Sequence, residues 1–279
     1  MAGKILVLGA TGGIGRSLVS SLVARGEQVK AASRQGTAIA GAEAVRFDLT
    51  DPSGLPAALD GVDRAFVMVP TGYLQVESLL APVIAAAAER RVKLVLQTVF
   101  GVDADDSIPY RKVELAVIAS GLPHVILRPN WFADNFHTFW RAGVLAGTIA
   151  VPAGTGRSSF IDTRDIAASA AAALTRSDVD GQAFNLTGPE ALSYADAAAI
   201  LSRILGRNIQ YQAIDDASFI AHLTAVGVPA EYANFLAAIF HPVREGWTAP
   251  VSDAVQFLTG QAPRSLETYA RDHLAALTV

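Results

Sequence analysis

Gly9, Gly12 and Gly15 stand three residues apart in GATGGIG, between the apolar run KILVL and the amphipathic run GRSLVSSLVARG. Glycine lets a backbone turn sharply and lets a ligand approach it closely. A helix that begins just after such a turn points unpaired N–H groups and a partial positive charge forward, which suits a phosphate. Here the strand-like run precedes the glycines and the helix-like run follows, the context a dinucleotide site requires. Gly9, Thr11, Gly12, Gly13, Ile14 and Gly15 are therefore the expected cofactor loop.

The second strand-like run, QVKAAS, ends at Ser33-Arg34. NAD sites usually place an Asp or Glu here to accept hydrogen bonds from the ribose hydroxyls. No acid occupies the position: Glu27 precedes the strand and Asp48 ends the third one. A guanidinium suits a 2′-phosphate through charge-assisted, bidentate bonds. Ser33 and Arg34 thus point to NADP(H).

These residues need a scaffold that brings strand ends together. KILVLG is a continuous apolar run stopped by glycine, as a strand buried on both faces would be. Strand-like and helix-like segments alternate through VKLVLQTVFG, YRKVELAVIASGL and HVILRPNWF. This pattern predicts an α/β fold, a Rossmann-type doubly wound parallel sheet, with ligands at the carboxyl ends of the strands. IDTRDIAASAAAAL reads as a short strand turn and a helix, and QAFNLTGP as a further strand. From Tyr194 onward the pattern is mainly helical. The expected division is a nucleotide domain over 1–150, with 158–188 returning to it, and a smaller substrate-side lobe over 189–279.

Composition narrows the function classes. The 279 residues are 51% hydrophobic and 17% charged, with no cysteine and a net charge of −4. That excludes a disulfide framework, a thiolate nucleophile and a zinc–thiolate site, and it offers no basic face for nucleic acid. The longest apolar runs, such as LLAPVIAAAA, fall well short of the ~20 residues that cross a bilayer. KILVL is too short for a signal-peptide core and runs straight into glycines, so a cytoplasmic protein is expected. The five histidines lack metal-ligand spacing, so no metal is expected. No G-x-S-x-G elbow or G-x-x-x-x-G-K-[ST] loop occurs. Oligomeric state stays open.

GATGGIG resembles the T-G-x-x-G-x-x-G loop of the atypical short-chain dehydrogenases/reductases. SGLPHVILRPNWFADNF and FNLTGPEALSYADAAAILSRILGR extend the resemblance to the NmrA-like family, which includes NADPH-dependent quinone, azo and triphenylmethane dye reductases. The likeness covers nearly the whole chain. It implies that Asp48 and Leu49 lie beside the adenine, and that Val69 and Pro70 end the fourth strand where the chain passes the cofactor ribose. The alternative for Asp48 is a turn or N-cap residue.

Many relatives use a Tyr-x-x-x-Lys pair, in which lysine lowers the tyrosine pKa and tyrosine transfers a proton. Aligned through Glu114 to Leu122, the lysine position holds Tyr110 and the tyrosine position falls near Asp106; Lys112 is two residues out of register. The pair is absent. This fits reductases in which the cofactor supplies hydride and the protein positions an electron-poor acceptor. Tyr110 is either a hydrogen-bond donor to the acceptor or a solvated helix-start residue. Thr98 is either a strand residue or the family's hydroxyl near substrate and nicotinamide. On the family template Asn130, Trp131, Phe132 and Asn135 adjoin the nicotinamide, where aromatic walls suit a flat substrate. His241 and Trp247, in FHPVREGW, belong either to a substrate-covering loop or to a lobe connector. Arg244 in the same stretch suits an acidic substrate.

The expected activity is NADPH-dependent hydride transfer to a small aromatic or quinone-like acceptor. The alternatives are a non-catalytic NADP(H)-binding redox sensor acting through a protein partner, and a nucleotide-sugar epimerase or dehydratase.

Overall fold

KILVL forms the first strand of a seven-stranded parallel sheet, and the glycines that stop it open the first helix. The computed structural model describes residues 3–278. In chain order the elements are β1 (Lys4–Leu8), α1 (Gly13–Ala24), β2 (Val29–Ser33), β3 (Glu43–Arg46), α2 (Leu55–Ala58), β4 (Val62–Val67), α3 (Val76–Arg90), β5 (Lys93–Gln97), α4 (Pro109–Ala119) and β6 (His124–Pro129). There follow α5 (Arg141–Ala146), β7 (Thr148–Val151), β8 (Arg157–Ser158), α6 (Thr163–Thr175), β9 (Gln182–Leu186), β10 (Leu192–Ser193), α7 (Tyr194–Leu205) and β11 (Gln210–Ala213). The last helices are α8 (Asp216–Ala225), α9 (Ala230–Ala238), α10 (His241–Arg244), α11 (Ala254–Thr259), α12 (Leu266–Asp272) and α13 (Leu274–Thr278).

The chain divides into two compact units. One comprises 1–129, 163–186 and 254–261; the other comprises 130–162, 187–253 and 262–279. The first holds the sheet, in the order β3-β2-β1-β4-β5-β6-β9. Every pair in it is parallel. Parallel strands need crossover helices, which cover both faces and bury the strands, and β2 and β5 are accordingly buried along their whole length and β1 beyond its first residue. Alternate strand residues Leu6, Leu8, Ala32, Leu94 and Leu96 join Leu80, Val83, Val113 and Val117 in the core under α3 and α4.

The second unit has its own core, in which Phe136, Phe160, Tyr194, Phe240 and Tyr269 are fully or almost fully buried. Two small pairings frame it, antiparallel β8–β10 and parallel β7–β11. Ser193 caps α7 in a reciprocal box with Asp196.

Two boundaries differ from the sequence reading. Residues 130–150 group with the second unit, because Phe136, Val144 and Ile149 pack into its core. Residues 254–261 return to the first, where Phe257 stacks on Phe184 and lies under the Arg176 guanidinium. Four-residue β11 also interrupts the stretch read as helical, since its pairing with β7 lies far away in sequence. No helix among the described residues is long and apolar enough to cross a membrane.

Candidate functional site

The sheet order reverses between β1 and β4, and ligands of such sheets bind beyond the carboxyl ends of the strands at that point. The GATGGIG loop leaves β1 there. Gly9 adopts φ +69°, the left-handed region that favours glycine. At Gly15 an added Cβ would sit 2.2 Å from the Gly9 carbonyl oxygen and 2.8 Å from Ala10 Cα, so no other residue fits. Gly12 stands at the helix N-cap without a side chain to cap it, and the first turn of α1 carries no acid. The N–H groups of Gly13, Ile14 and Gly15 therefore face outward with neither a side-chain partner nor a neutralising charge, the condition for anion binding. The Thr11 carbonyl accepts a hydrogen bond from Arg16 Nε at 3.2 Å, which steadies the loop from outside. Ile14 is buried beneath it.

Ser33 ends β2 on the neighbouring strand. Its Oγ accepts from the Thr37 N–H at 2.9 Å, which leaves the hydroxyl proton for another acceptor. Arg34 is exposed and has no hydrogen bond or ion pair among the described residues. No carboxylate occupies the end of β2. Asp48 Oδ1 accepts from Thr50, both its N–H at 2.9 Å and its hydroxyl at 2.8 Å, and these bonds hold its carboxyl below the usual range. That is a turn role, and Leu49 beside it packs against the core. Val69 is buried and Pro70 exposed just beyond β4. The loop, the uncapped helix and the free guanidinium fit a phosphorylated dinucleotide.

At the end of β5 the structure builds something the sequence reading missed. Glu114 of α4 is 0% exposed. Its Oε1 accepts from Thr98 Oγ1 at 2.7 Å and Arg128 Nε at 2.9 Å; its Oε2 accepts from Arg128 Nη2 at 2.7 Å and Arg111 Nη1 at 3.0 Å. Burial opposes its ionisation, but the Arg128 and Thr98 bonds and the Arg128 charge outweigh it and hold the carboxyl below its ordinary value. Arg128 also pairs with Asp103, and Arg111 with Asp106, so the chain of charges spans the β5–α4 connection. A signal did exist: an arginine inside the apolar strand HVILRP needs a buried partner.

This network redefines Thr98. The residue is 2% exposed and gives its proton to Glu114, so it has none for a substrate oxygen. Tyr110 lies in the first turn of α4 and packs partly against the core under α3. Lys112 is exposed, its Nζ 3.5 Å from Glu77.

In the second unit Asn130 is a structural residue rather than a pocket one. It is 4% exposed; its Nδ2 donates to Ser159 Oγ and the Thr248 carbonyl at 2.8 Å each, and its Oδ1 accepts from the Trp131 N–H at 2.8 Å. Trp131 stacks on Trp140 and tilts against Phe240 at 4.8 Å, which makes it part of the core. Phe132 and Asn135 are half-buried. His241 and Trp247 come together edge to face at 5.4 Å, and Trp247 remains 59% exposed. Arg244 is taken by Asp216, at 2.9 and 3.1 Å, and by the Pro152 carbonyl. It has no charge left for an acidic substrate. No group of three or more potential metal ligands occurs among the described residues.

The model of the NmrA-like family matches residues 1–269. The oxidoreductase YesF of Bacillus subtilis (strain 168) is 34% identical over 278 residues, covering 98% of this chain and 96% of that protein. The NAD(P)H azoreductase of Xenophilus azovorans is 33% identical over 281 residues, covering 98% of each. Among solved structures, the NADPH-dependent quinone oxidoreductase QOR2 of Escherichia coli, complexed with NADPH, superposes with a TM-score of 0.85 at 26% identity, over 97% of this chain and 99% of that one.

Proposed function

The chain belongs to the NmrA-like family, and from that premise we propose that it is an NADPH-dependent oxidoreductase delivering hydride to a small, flat, electron-poor acceptor, with quinones first among them. The observation that carries this reading is the uncapped start of α1 behind the glycine loop, together with an unpaired Arg34 where an NAD site would carry an acid. Bound NADPH supplies the hydride. The chain's own work is binding and orientation. The N–H groups of Gly13, Ile14 and Gly15 take the pyrophosphate, Ser33 and Arg34 take the 2′-phosphate, and Asp48, Leu49, Val69 and Pro70 flank the adenosine side.

A quinone that accepts hydride becomes a phenolate, a stable anion that draws its proton from water. Such a substrate needs no strong general acid. This agrees with a Thr98 proton committed to Glu114 and with a Lys112 facing Glu77. Tyr110 is the proposed hydrogen-bond donor to the acceptor oxygen. Phe132 and Asn135, with the exposed His241–Trp247 pair, are the proposed substrate contacts, since aromatic faces suit a flat ring. A cysteine-free chain using NADPH fits a reducing compartment, so the cytoplasm is the proposed location.

One observation favours a second reading. Without a Tyr-x-x-x-Lys pair, the same dinucleotide-binding elements suit a sensor that binds NADP(H) and turns nothing over.

The test is NADPH oxidation against a panel of quinones and azo dyes, with NADH in parallel and Arg34→Ala as comparison. Acceptor-dependent oxidation that prefers NADPH, with the preference lost in Arg34→Ala, is the expected result. Tight NADPH binding without turnover on any acceptor selects the sensor. Failure to bind either dinucleotide overturns both.

A further inference from the structure

We propose that Arg46 is a second cation for the 2′-phosphate of NADP(H), acting beside Arg34 to set the preference for NADP(H) over NAD(H). The proposal rests on the NADPH reading above and adds a residue that the glycine loop and the end of β2 do not reveal.

Arg46 ends β3 and lies directly opposite Ser33 in the parallel pairing of β2 with β3. Partners across a parallel ladder carry their side chains on the same face of the sheet, and successive residues alternate. The preceding pair, Ala32 and Val45, belongs to the core under α3. Ser33 and Arg46 therefore both turn to the other face. That face carries α1, whose buried residues Ile14, Leu18, Val19 and Leu22 are absent from the α3-side core. The N-terminus of α1 opens at the end of β1, the strand next to β2. Arg46 thus shares a face and a sheet edge with the phosphate-binding elements.

Local contacts tie it to the Ser33 turn. The Ser33 carbonyl accepts from the N–H groups of Phe47 at 3.0 Å and Gly36 at 3.1 Å. Gly36, at φ +62°, rests against Arg46: an added Cβ there would lie 3.5 Å from Arg46 Cβ. The turn bearing Arg34 is folded over the stem of Arg46.

The charges are available. Arg46 and Arg34 are both exposed, and neither has a hydrogen bond or ion pair among the described residues. Other arginines of the same unit are committed: Arg64 to Glu27 and Asp63, Arg111 to Asp106 and Glu114, Arg128 to Asp103 and Glu114, Arg176 to Asp178. Asp48 is the acid that both Arg34 and Arg46 influence, yet its Oδ1 is occupied by Thr50. Two uncommitted guanidiniums beside a serine with a free proton match a phosphate monoester, which offers three acceptor oxygens and up to two charges. A bare ribose hydroxyl offers them no charge to neutralise.

The experiment measures dissociation constants by calorimetry for NADP+, NAD+, 2′,5′-ADP and 5′-AMP. The proteins are the wild type, Arg34→Ala, Arg46→Ala, Arg46→Lys and Arg25→Ala. Arg25 is an exposed residue at the far end of α1 and controls for net charge. Arg46→Ala is expected to weaken NADP+ and 2′,5′-ADP by about five- to ten-fold, the loss of one exposed charge-assisted contact. NAD+ and 5′-AMP should be unmoved, Arg46→Lys should recover part of the loss, and Arg25→Ala should match the wild type. If Arg34→Ala loses NADP+ preference while Arg46→Ala keeps it whole, the role of Arg46 is overturned and the NADPH reading stands. If Arg25→Ala weakens NADP+ as much as Arg46→Ala, the effect is long-range charge and the proposal is equally overturned. A wild type that binds NADP+ no better than NAD+ overturns the NADPH reading, and this proposal with it.

Discussion

Thr98 Oγ1 donates its proton to Glu114 Oε1 across 2.7 Å, in a spot where Glu114 has no exposed surface. The carboxylate is locked from its other sides by Arg128 and Arg111, so it neither rotates away nor releases the hydroxyl. The bond makes the end of β5 a fastening point for the chain that runs on to α4. It also removes Thr98 from the proton donors available to a substrate.

Thr98→Val should therefore keep kcat within about three-fold of wild type while lowering stability by about 1–3 kcal/mol, the cost of a buried hydrogen bond left half unmade. Steady-state kinetics and denaturant unfolding measured on one preparation decide it. A hundred-fold loss of kcat in a protein of unchanged stability would put Thr98 back into the chemistry.

Glu114 should impose an acid limb on stability. Its folded carboxyl lies below its ordinary value of 4.5, so the unfolded chain binds the proton more tightly. The stability it contributes is complete above about pH 4.5 and drains away as pH falls through the lower folded value. Glu114→Gln should cost about 1–3 kcal/mol at neutral pH, because it takes the charge out of the bonds to Arg128 and Arg111, which keep Asp103 and Asp106 as partners, and it should flatten the acid limb. Unfolding curves between neutral and acid pH test this; an unchanged limb in the variant would assign it to other carboxylates.

Gly15→Ala should cripple binding of NADPH and NADH alike. The added Cβ meets the Gly9 carbonyl at 2.2 Å, and the backbone of the loop must move to admit it. A loss of about ten-fold or more in affinity for both dinucleotides is expected, against a milder effect for Gly12→Ala, where the nearest contact is 3.4 Å. Equal tolerance at the two positions would mean that the loop is not a tight cradle.

Asn130→Ala removes three hydrogen bonds inside the second unit. Stability should fall by about 1–3 kcal/mol, since the Trp131 N–H loses its partner, while Ser159 Oγ keeps the Pro250 carbonyl and the Thr248 carbonyl keeps the Ser159 N–H. KM for the acceptor, assayed well below the unfolding temperature, should hold. A raised KM in a stable variant would return Asn130 to the substrate pocket.

Much of the nucleotide half was legible in the residues. The apolar run KILVL, the glycines after it and the helix-period pattern of GRSLVSSLVARG are local signals, and each maps onto an element the structure contains. The missing acid and the arginine at the end of QVKAAS are local as well. HVILRP reads as a buried strand by the same logic, yet its arginine could not announce that its partners are Glu114 and Asp103. The substrate side was least legible. Asn130 and Trp131 have the residue types of a pocket, and the structure uses both for packing. Arg244 has the type of an anion clamp and is spent on Asp216.

By itself, then, the sequence determined the alternation of strand and helix, the position of the phosphate-binding turn and the absence of an acid beside it. Backbone period, glycine placement and the end of a strand are properties of neighbours along the chain. Only the tertiary structure decided which polar side chains remain free. Thr98 and Glu114 are 16 residues apart, Asn130 and Thr248 are 118 apart, and Ser33 meets Arg46 only through strand pairing. Whether a hydroxyl or a guanidinium faces a ligand depends on what already holds it, and that partner is chosen by register and packing across the fold.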